Sequence, residues 1–120
     1  MIEELYQEFI IERYKHPRNF GTLNGATHSA ELHNTTCGDH IKLALKVSDG
    51  KVVDSKFIGK GCAISQASAS LLTTNIKGKT FSQVKKLTKD DVLALIKLDL
   101  SKNPSRMKCA LLVFDVLKSL

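Results

Sequence analysis

Residues 41–61 read IKLALKVSDGKVVDSKFIGKG, and their period decides the fold class. Ile41, Leu43, Leu45 and Val47 alternate with Lys42, Ala44, Lys46 and Ser48, the pattern of a strand with one apolar face and one wet face. Asp49-Gly50 is a two-residue hairpin signal, because both positions of such a turn need positive φ. The return strand covers residues 51–58, with Val52, Val53, Phe57 and Ile58 as its apolar members. It ends at Gly59-Lys60-Gly61, where a backbone free of side-chain clash turns sharply. A small antiparallel sheet is the expected result.

Towards the C-terminus, residues 62–77 contain no Gly or Pro and are rich in Ala and Ser, so they read as a helix stopped by Gly78. Ser82 starts a short helix, and Thr88 caps another with Asp90 and Asp91 in its first turn. Asn103 caps the last helix, and Pro104 suits its first position. Towards the N-terminus, Ile2, Leu5, Tyr6, Phe9, Ile10 and Tyr14 form the apolar stripe of an amphipathic helix that Pro17 stops. Residues 20–27, with Gly21 and Gly25, read as a loop that leads into an extended segment at about residues 28–32. The expected fold is α+β, a small antiparallel sheet packed against several helices, as one domain over residues 1–120.

With 120 residues, 42% of them apolar, the chain is long enough for one core. Its apolar runs are a few residues long, whereas a membrane-spanning helix needs about 20, and the start MIEELYQEF carries early acids rather than a signal pattern. A soluble, cytoplasmic protein is expected, with no membrane partner. The net charge of +6 suits a polyanion or an acidic protein surface. The lysines are dispersed, however, the densest group being Lys77, Lys79, Lys85, Lys86 and Lys89, and the aromatics include no Trp. Without a stacking array, nucleic acid is not the expected partner.

Three cysteines, Cys37, Cys62 and Cys109, lie 25 and 47 residues apart, too far for paired zinc knuckles. Their contexts say more. Cys37 sits in Thr35-Thr36-Cys37-Gly38-Asp39 just before a strand, and Asp39 follows two residues later. A loop around Gly38 can turn a thiolate and a carboxylate towards one ion. Cys62 opens a helix, where unpaired N–H groups and the helix dipole favour a thiolate. Cys109 would be the third sulfur, although its apolar neighbours fit a core role equally well. Three thiolates and Asp39 around zinc, or around a [2Fe–2S] core of the same charge, leave about −2, which Lys60, Arg106 and Lys108 could offset. Of the four histidines, His40 is the one placed beside the group.

Four stretches then fall into a known order: Tyr14-Lys15-His16-Pro17-Arg18-Asn19, Thr36-Cys37-Gly38-Asp39, Gly59-Lys60-Gly61-Cys62-Ala63-Ile64-Ser65 and Ser105-Arg106-Met107-Lys108-Cys109-Ala110. On these residues the chain resembles the iron–sulfur cluster assembly scaffolds of the IscU/SufU/NifU N-domain type, and most closely the SufU branch. The resemblance implies that Cys37, Asp39, Cys62 and Cys109 converge at one exposed end. There the protein would accept sulfur from a cysteine desulfurase and assemble a [2Fe–2S] cluster for apo-proteins, or hold zinc. Such a protein is a scaffold or sulfur acceptor rather than a turnover enzyme.

The departures are informative. Lys108 stands where the IscU branch has a histidine, and Lys102-Asn103-Pro104-Ser105-Arg106 replaces the chaperone-binding Leu-Pro-Pro-Val-Lys stretch. The segment between Cys62 and Cys109 is shorter than in SufU proteins, which carry an insertion there. Two readings follow. In the first, a cluster is built on the three cysteines and Asp39 is the labile ligand. In the second, zinc holds the site and Cys37 accepts the sulfur, with Lys108 tilting the resting metal towards zinc. A purely structural zinc site is disfavoured, because a carboxylate is an uncommon ligand in closed zinc sites.

Overall fold

The computed structural model describes residues 2–34, 38–97 and 99–120, with side chains from Glu8 on. In chain order its elements are α1 (Ile2–Lys15), β1 (His28–Asn34), β2 (Asp39–Ser48), β3 (Lys51–Lys60), α2 (Ala63–Ile76), α3 (Phe81–Lys85), α4 (Lys89–Ile96) and α5 (Pro104–Lys118). The three strands form one antiparallel sheet in the order β1-β2-β3. Alternation along β2 and β3 sends Ile41, Leu43, Leu45, Val52 and Phe57 to one buried face. Helices α2 and α5 cover that face, adding Leu72, Ile76, Leu112, Val113, Val116 and Leu117 to the same core. The α+β reading holds. Among the described residues no helix is long and apolar enough to cross a membrane.

The strands are longer than their apolar patterns suggest. β1 runs on to Asn34, β2 begins at Asp39 and β3 reaches Lys60, because Asn34 pairs with Asp39 and His40 with Lys60. Backbone pairing is indifferent to side-chain polarity, so it carries the sheet past the last apolar residue. This extension matters for function, since it brings the start of β2 and the end of β3 to the start of α2. The short helix expected to start at Ser82 instead begins at Phe81, capped by Thr80. Thr80 Oγ1 accepts from Gln83 N–H at 3.1 Å and Gln83 Oε1 accepts from Thr80 N–H at 3.0 Å, a closed box that fixes the helix start one residue earlier. Thr88 and Asn103 cap α4 and α5 as expected, and Gly78 takes the left-handed position after α2 with φ of 87°.

The Pro17-Arg18-Asn19 stretch fastens α2 to the sheet. Arg18 N–H donates to Ser70 Oγ at 2.7 Å, and Asn19 Nδ2 donates to Thr73 Oγ1 at 3.1 Å and to Thr74 Oγ1 at 3.0 Å. On the other side, Asn19 C=O accepts from Phe57 N–H of β3 at 2.9 Å, with Asn19 itself in the left-handed region at φ of 64°. Asn19→Ala removes these two hydrogen bonds and the one that Asn19 Oδ1 accepts from Lys77 Nζ, and puts alanine where asparagine is tolerated. It should lower the free energy of unfolding by about 2 kcal/mol. Urea denaturation measures this, and an unchanged midpoint would mean that the stretch does not tie the helix down.

Candidate metal centre

At the end of the sheet nearest α2, strand alternation turns Asp39 to the same buried face as Ile41, leaving the aspartate 1% exposed. Cys62 is the residue just before the first turn of α2, with extended backbone, and is half-buried. Cys109 projects from the second turn of α5 and is 5% exposed. A carboxylate oxygen of Asp39 and the sulfurs of Cys62 and Cys109 all lie within 4.8 Å of one another. Around a tetrahedral ion with metal–sulfur bonds of about 2.3 Å, neighbouring ligand atoms lie roughly 3.8 Å apart. The three groups therefore need only a small contraction to share one ion. Two thiolates with one carboxylate suit both zinc and iron.

The carboxylate is already oriented. Asp39 Oδ1 accepts from Cys62 N–H at 2.8 Å, and Oδ2 lies 3.7 Å from Cys62 Sγ, which donates to it. One oxygen is thus held by the helix start while the other faces the sulfur. Cys62 and Cys109 also line a cleft of about 330 Å³ between α1 and the starts of α2 and α5, with Ile10, Ile64 and Arg106 among its walls. The sulfurs are reached through that cleft.

The remaining residues singled out by sequence sort clearly. Cys37 lies outside the described residues. Its neighbour Gly38, exposed at φ of 74°, donates its N–H to Asn34 C=O at 2.8 Å. Arg106 brings positive charge to the wall of the cysteine cleft. Lys108, although next to Cys109 in sequence, lines a second cleft with His33, Asn34 and Asp115, because successive residues of a helix point about 100° apart. Lys60 is exposed at the end of β3, opposite His40 in the register. His40 follows Asp39 on the strand, so it faces the other way, stacking on His33 with ring centroids 4.3 Å apart and bonding Glu31 Oε2 through Nε2 at 2.8 Å. That bond holds the Glu31 carboxyl below its usual range. Among the described residues, His40 is not part of the group that could hold an ion.

Sequence reading assigned Gly61 only to a turn. It lies directly against Asp39, and the signal that could have located it is a Gly-x-Gly run immediately before a cysteine.

The sequence model of the NifU-like N terminal domain family matches residues 5–119. The chain belongs to this family. Among family relatives, the zinc-dependent sulfurtransferase SufU of Bacillus subtilis is 38% identical, the match covering 98% of this chain and 89% of that protein. The iron–sulfur cluster assembly scaffold protein IscU of Thermotoga maritima is also 38% identical, over 95% of this chain and 90% of the relative. A crystal structure from Fervidobacterium islandicum, described as a cluster assembly scaffold protein for the SUF system, superposes with a TM-score of 0.77 at 30% identity and covers 93% of each chain.

Proposed function

We propose that this protein is an iron–sulfur cluster assembly scaffold, taking sulfur from a cysteine desulfurase and passing a [2Fe–2S] cluster to apo-proteins in the cytoplasm. The observation that carries the proposal is the convergence of Asp39, Cys62 and Cys109 within 4.8 Å at one end of a family-typical fold. Cys37 completes the ligand set. Sulfur arrives by thiolate attack: the acceptor cysteine bonds to the outer sulfur of the donor persulfide, the donor S–S bond breaks, and its electron pair leaves on the donor cysteine. Cys109 is 5% exposed and the Cys62 thiol donates to Asp39 Oδ2, so Cys37, beside the open and exposed Gly38, is the acceptor assigned here. Asp39, a hard oxygen ligand among thiolates, is the group that opens when the cluster leaves.

A second reading, zinc-dependent sulfur transfer, is favoured by the Bacillus relative and by Lys108 in place of the histidine of IscU-type chains. Zinc, when bound, lowers the pKa of the thiols around it. This chain supplies the rest: Asp39 held by the Cys62 amide, two sulfurs at the floor of the cleft and Arg106 on its wall.

Metal and sulfide analysis of protein purified without oxygen, before and after incubation with a desulfurase, cysteine, ferrous iron and a thiol reductant that takes the persulfide sulfur to sulfide, separates the readings. Two irons and two sulfides per chain, transferable to apo-ferredoxin, support the scaffold. Zinc retained throughout, with accelerated desulfurase turnover, supports sulfur transfer. Lys108 lines the second cleft, away from Cys62 and Cys109, so Lys108→His is expected to leave the resting metal unchanged, and a shift from zinc towards iron in that variant would show that residue 108 reaches the ion. Persulfide mapping by mass spectrometry should still find sulfur on Cys37, and sulfur found solely on Cys109 would reject that assignment.

A further inference from the structure

Gly61 has φ of 137°, and a Cβ built on it would stand 2.0 Å from Asp39 Oδ1, 2.7 Å from Asp39 Cγ and 2.9 Å from Asp39 Cα. No side chain fits there while the aspartate stays where it is. The same Oδ1 accepts the Cys62 N–H at 2.8 Å, one residue further along. The carboxylate therefore lies flat over the bare α-carbon of Gly61, pinned at one oxygen, with its other oxygen 3.7 Å from Cys62 Sγ. Gly59 contributes a second close approach, since its Cβ would meet the backbone oxygen of His40 at 2.4 Å. The two glycines let β3 press against the first residues of β2 at the point where Asp39 emerges.

We infer that Gly61 is a positioning residue for the metal centre: by lacking a side chain it seats the Asp39 carboxylate on the Cys62 amide, so that a single oxygen, Oδ2, is presented to the ion. The inference rests on the proposed metal-binding role of Asp39 and adds a determinant outside the ligand set. Its consequence is that the loss of metal binding in Gly61→Ala passes through Asp39, beyond whatever the backbone strain alone causes. Groups that orient a ligand typically change metal affinity by roughly 10–100-fold.

Gly21 provides the control. It has nearly the same φ, 140°, but a Cβ there meets nothing within 4 Å. Gly21→Ala thus introduces strain at a matching φ without touching Asp39. Zinc affinity, measured by competition with a chromophoric chelator, is expected to fall roughly 10–100-fold in Gly61→Ala and to stay at the wild-type value in Gly21→Ala. In an Asp39→Ala background, Gly61→Ala should cause no further loss. A wild-type affinity in Gly61→Ala, an equal loss in Gly21→Ala, or losses that multiply in the double variant would each overturn the inference.

A readout on the apoprotein separates this inference from the metal-binding proposal. The Cys62 amide should be protected from hydrogen exchange in the wild type and lose that protection in both Gly61→Ala and Asp39→Ala. Wild-type protein that binds no zinc but shows this pattern would refute the metal role and leave the positioning role standing. A Cys62 amide still protected in Gly61→Ala would refute the positioning role. Should Gly61→Ala fail to fold, Asp39→Ala/Gly61→Ala is expected to fold, because the two shortest contacts, at 2.0 Å and 2.7 Å, disappear with the carboxylate. A double variant as unfolded as the single one would overturn the inference.

Discussion

Replacing Asp39 by alanine is expected to lengthen, several-fold, the half-time for cluster transfer from this protein to an apo-ferredoxin. The reason lies in where the second carboxylate oxygen sits. At 3.7 Å from Cys62 Sγ, Oδ2 is placed to accept a hydrogen bond from the Cys62 thiol once that sulfur has left the iron. Release replaces an iron–sulfur bond by this contact, so the carboxylate stabilises the discharged state. It is also a hard ligand among soft ones and the easiest to displace. Alanine removes both effects. Transfer is followed by the growth of the ferredoxin spectrum, and a half-time equal to or shorter than that of the wild type would count against Asp39 as the release group. The same substitution removes one ligand from zinc, so zinc affinity should fall while the cluster is held longer; one effect is an equilibrium, the other a rate.

Cys109→Ser should weaken zinc binding by roughly a hundredfold, since apparent zinc free energies of roughly 10–16 kcal/mol shared by four ligands amount to about 3 kcal/mol each. A serine hydroxyl does not ionise to replace the thiolate. Cys109 is 5% exposed and packs with Ile10, Ile64, Ala67, Ile96 and Ala110, surroundings in which a cysteine could serve simply as a small apolar residue. Chelator competition and unfolding of the metal-free protein distinguish the two roles. A ligand loses affinity with a modest change in the stability of the apoprotein. A core residue loses stability, and zinc affinity within twofold of wild type would return Cys109 to packing.

The site was legible in part, and residue by residue the reason differs. Cys62 announced itself, because a cysteine between a Gly-x-Gly run and a helix signal is a local pattern. Asp39 was legible through its distance of two from Cys37. Cys109 was ambiguous on an apolar helix, and what lifts the ambiguity is the approach of α5 to α2, which brings its sulfur within 4.8 Å of the other two groups. His40 illustrates the opposite case. Adjacent in sequence to Asp39, it points away from the ion-binding group because β2 already includes both residues, and neighbours on a strand face opposite sides. Lys108 is directed away from the cysteine cleft by the equivalent rule for helices.

What the sequence by itself determined here is everything that depends on short range. Alternation at residues 41–48 set the strand faces, Asp49-Gly50 set the hairpin, Thr88 and Asn103-Pro104 marked helix starts through bonds to neighbours three or four residues away, and Gly78 marked a helix end by its left-handed backbone. The same locality made the cysteine contexts readable and with them the family. Only the tertiary structure decided how far the strands run, since polar residues 33–34 and 39–40 join the sheet through partners on other strands. It alone decided that Gly61 is required by Asp39, 22 residues earlier, as well as by its own backbone conformation. Contacts of that kind leave no periodic trace, because a pair brought together by packing has no fixed spacing along the chain and each member looks ordinary where it stands.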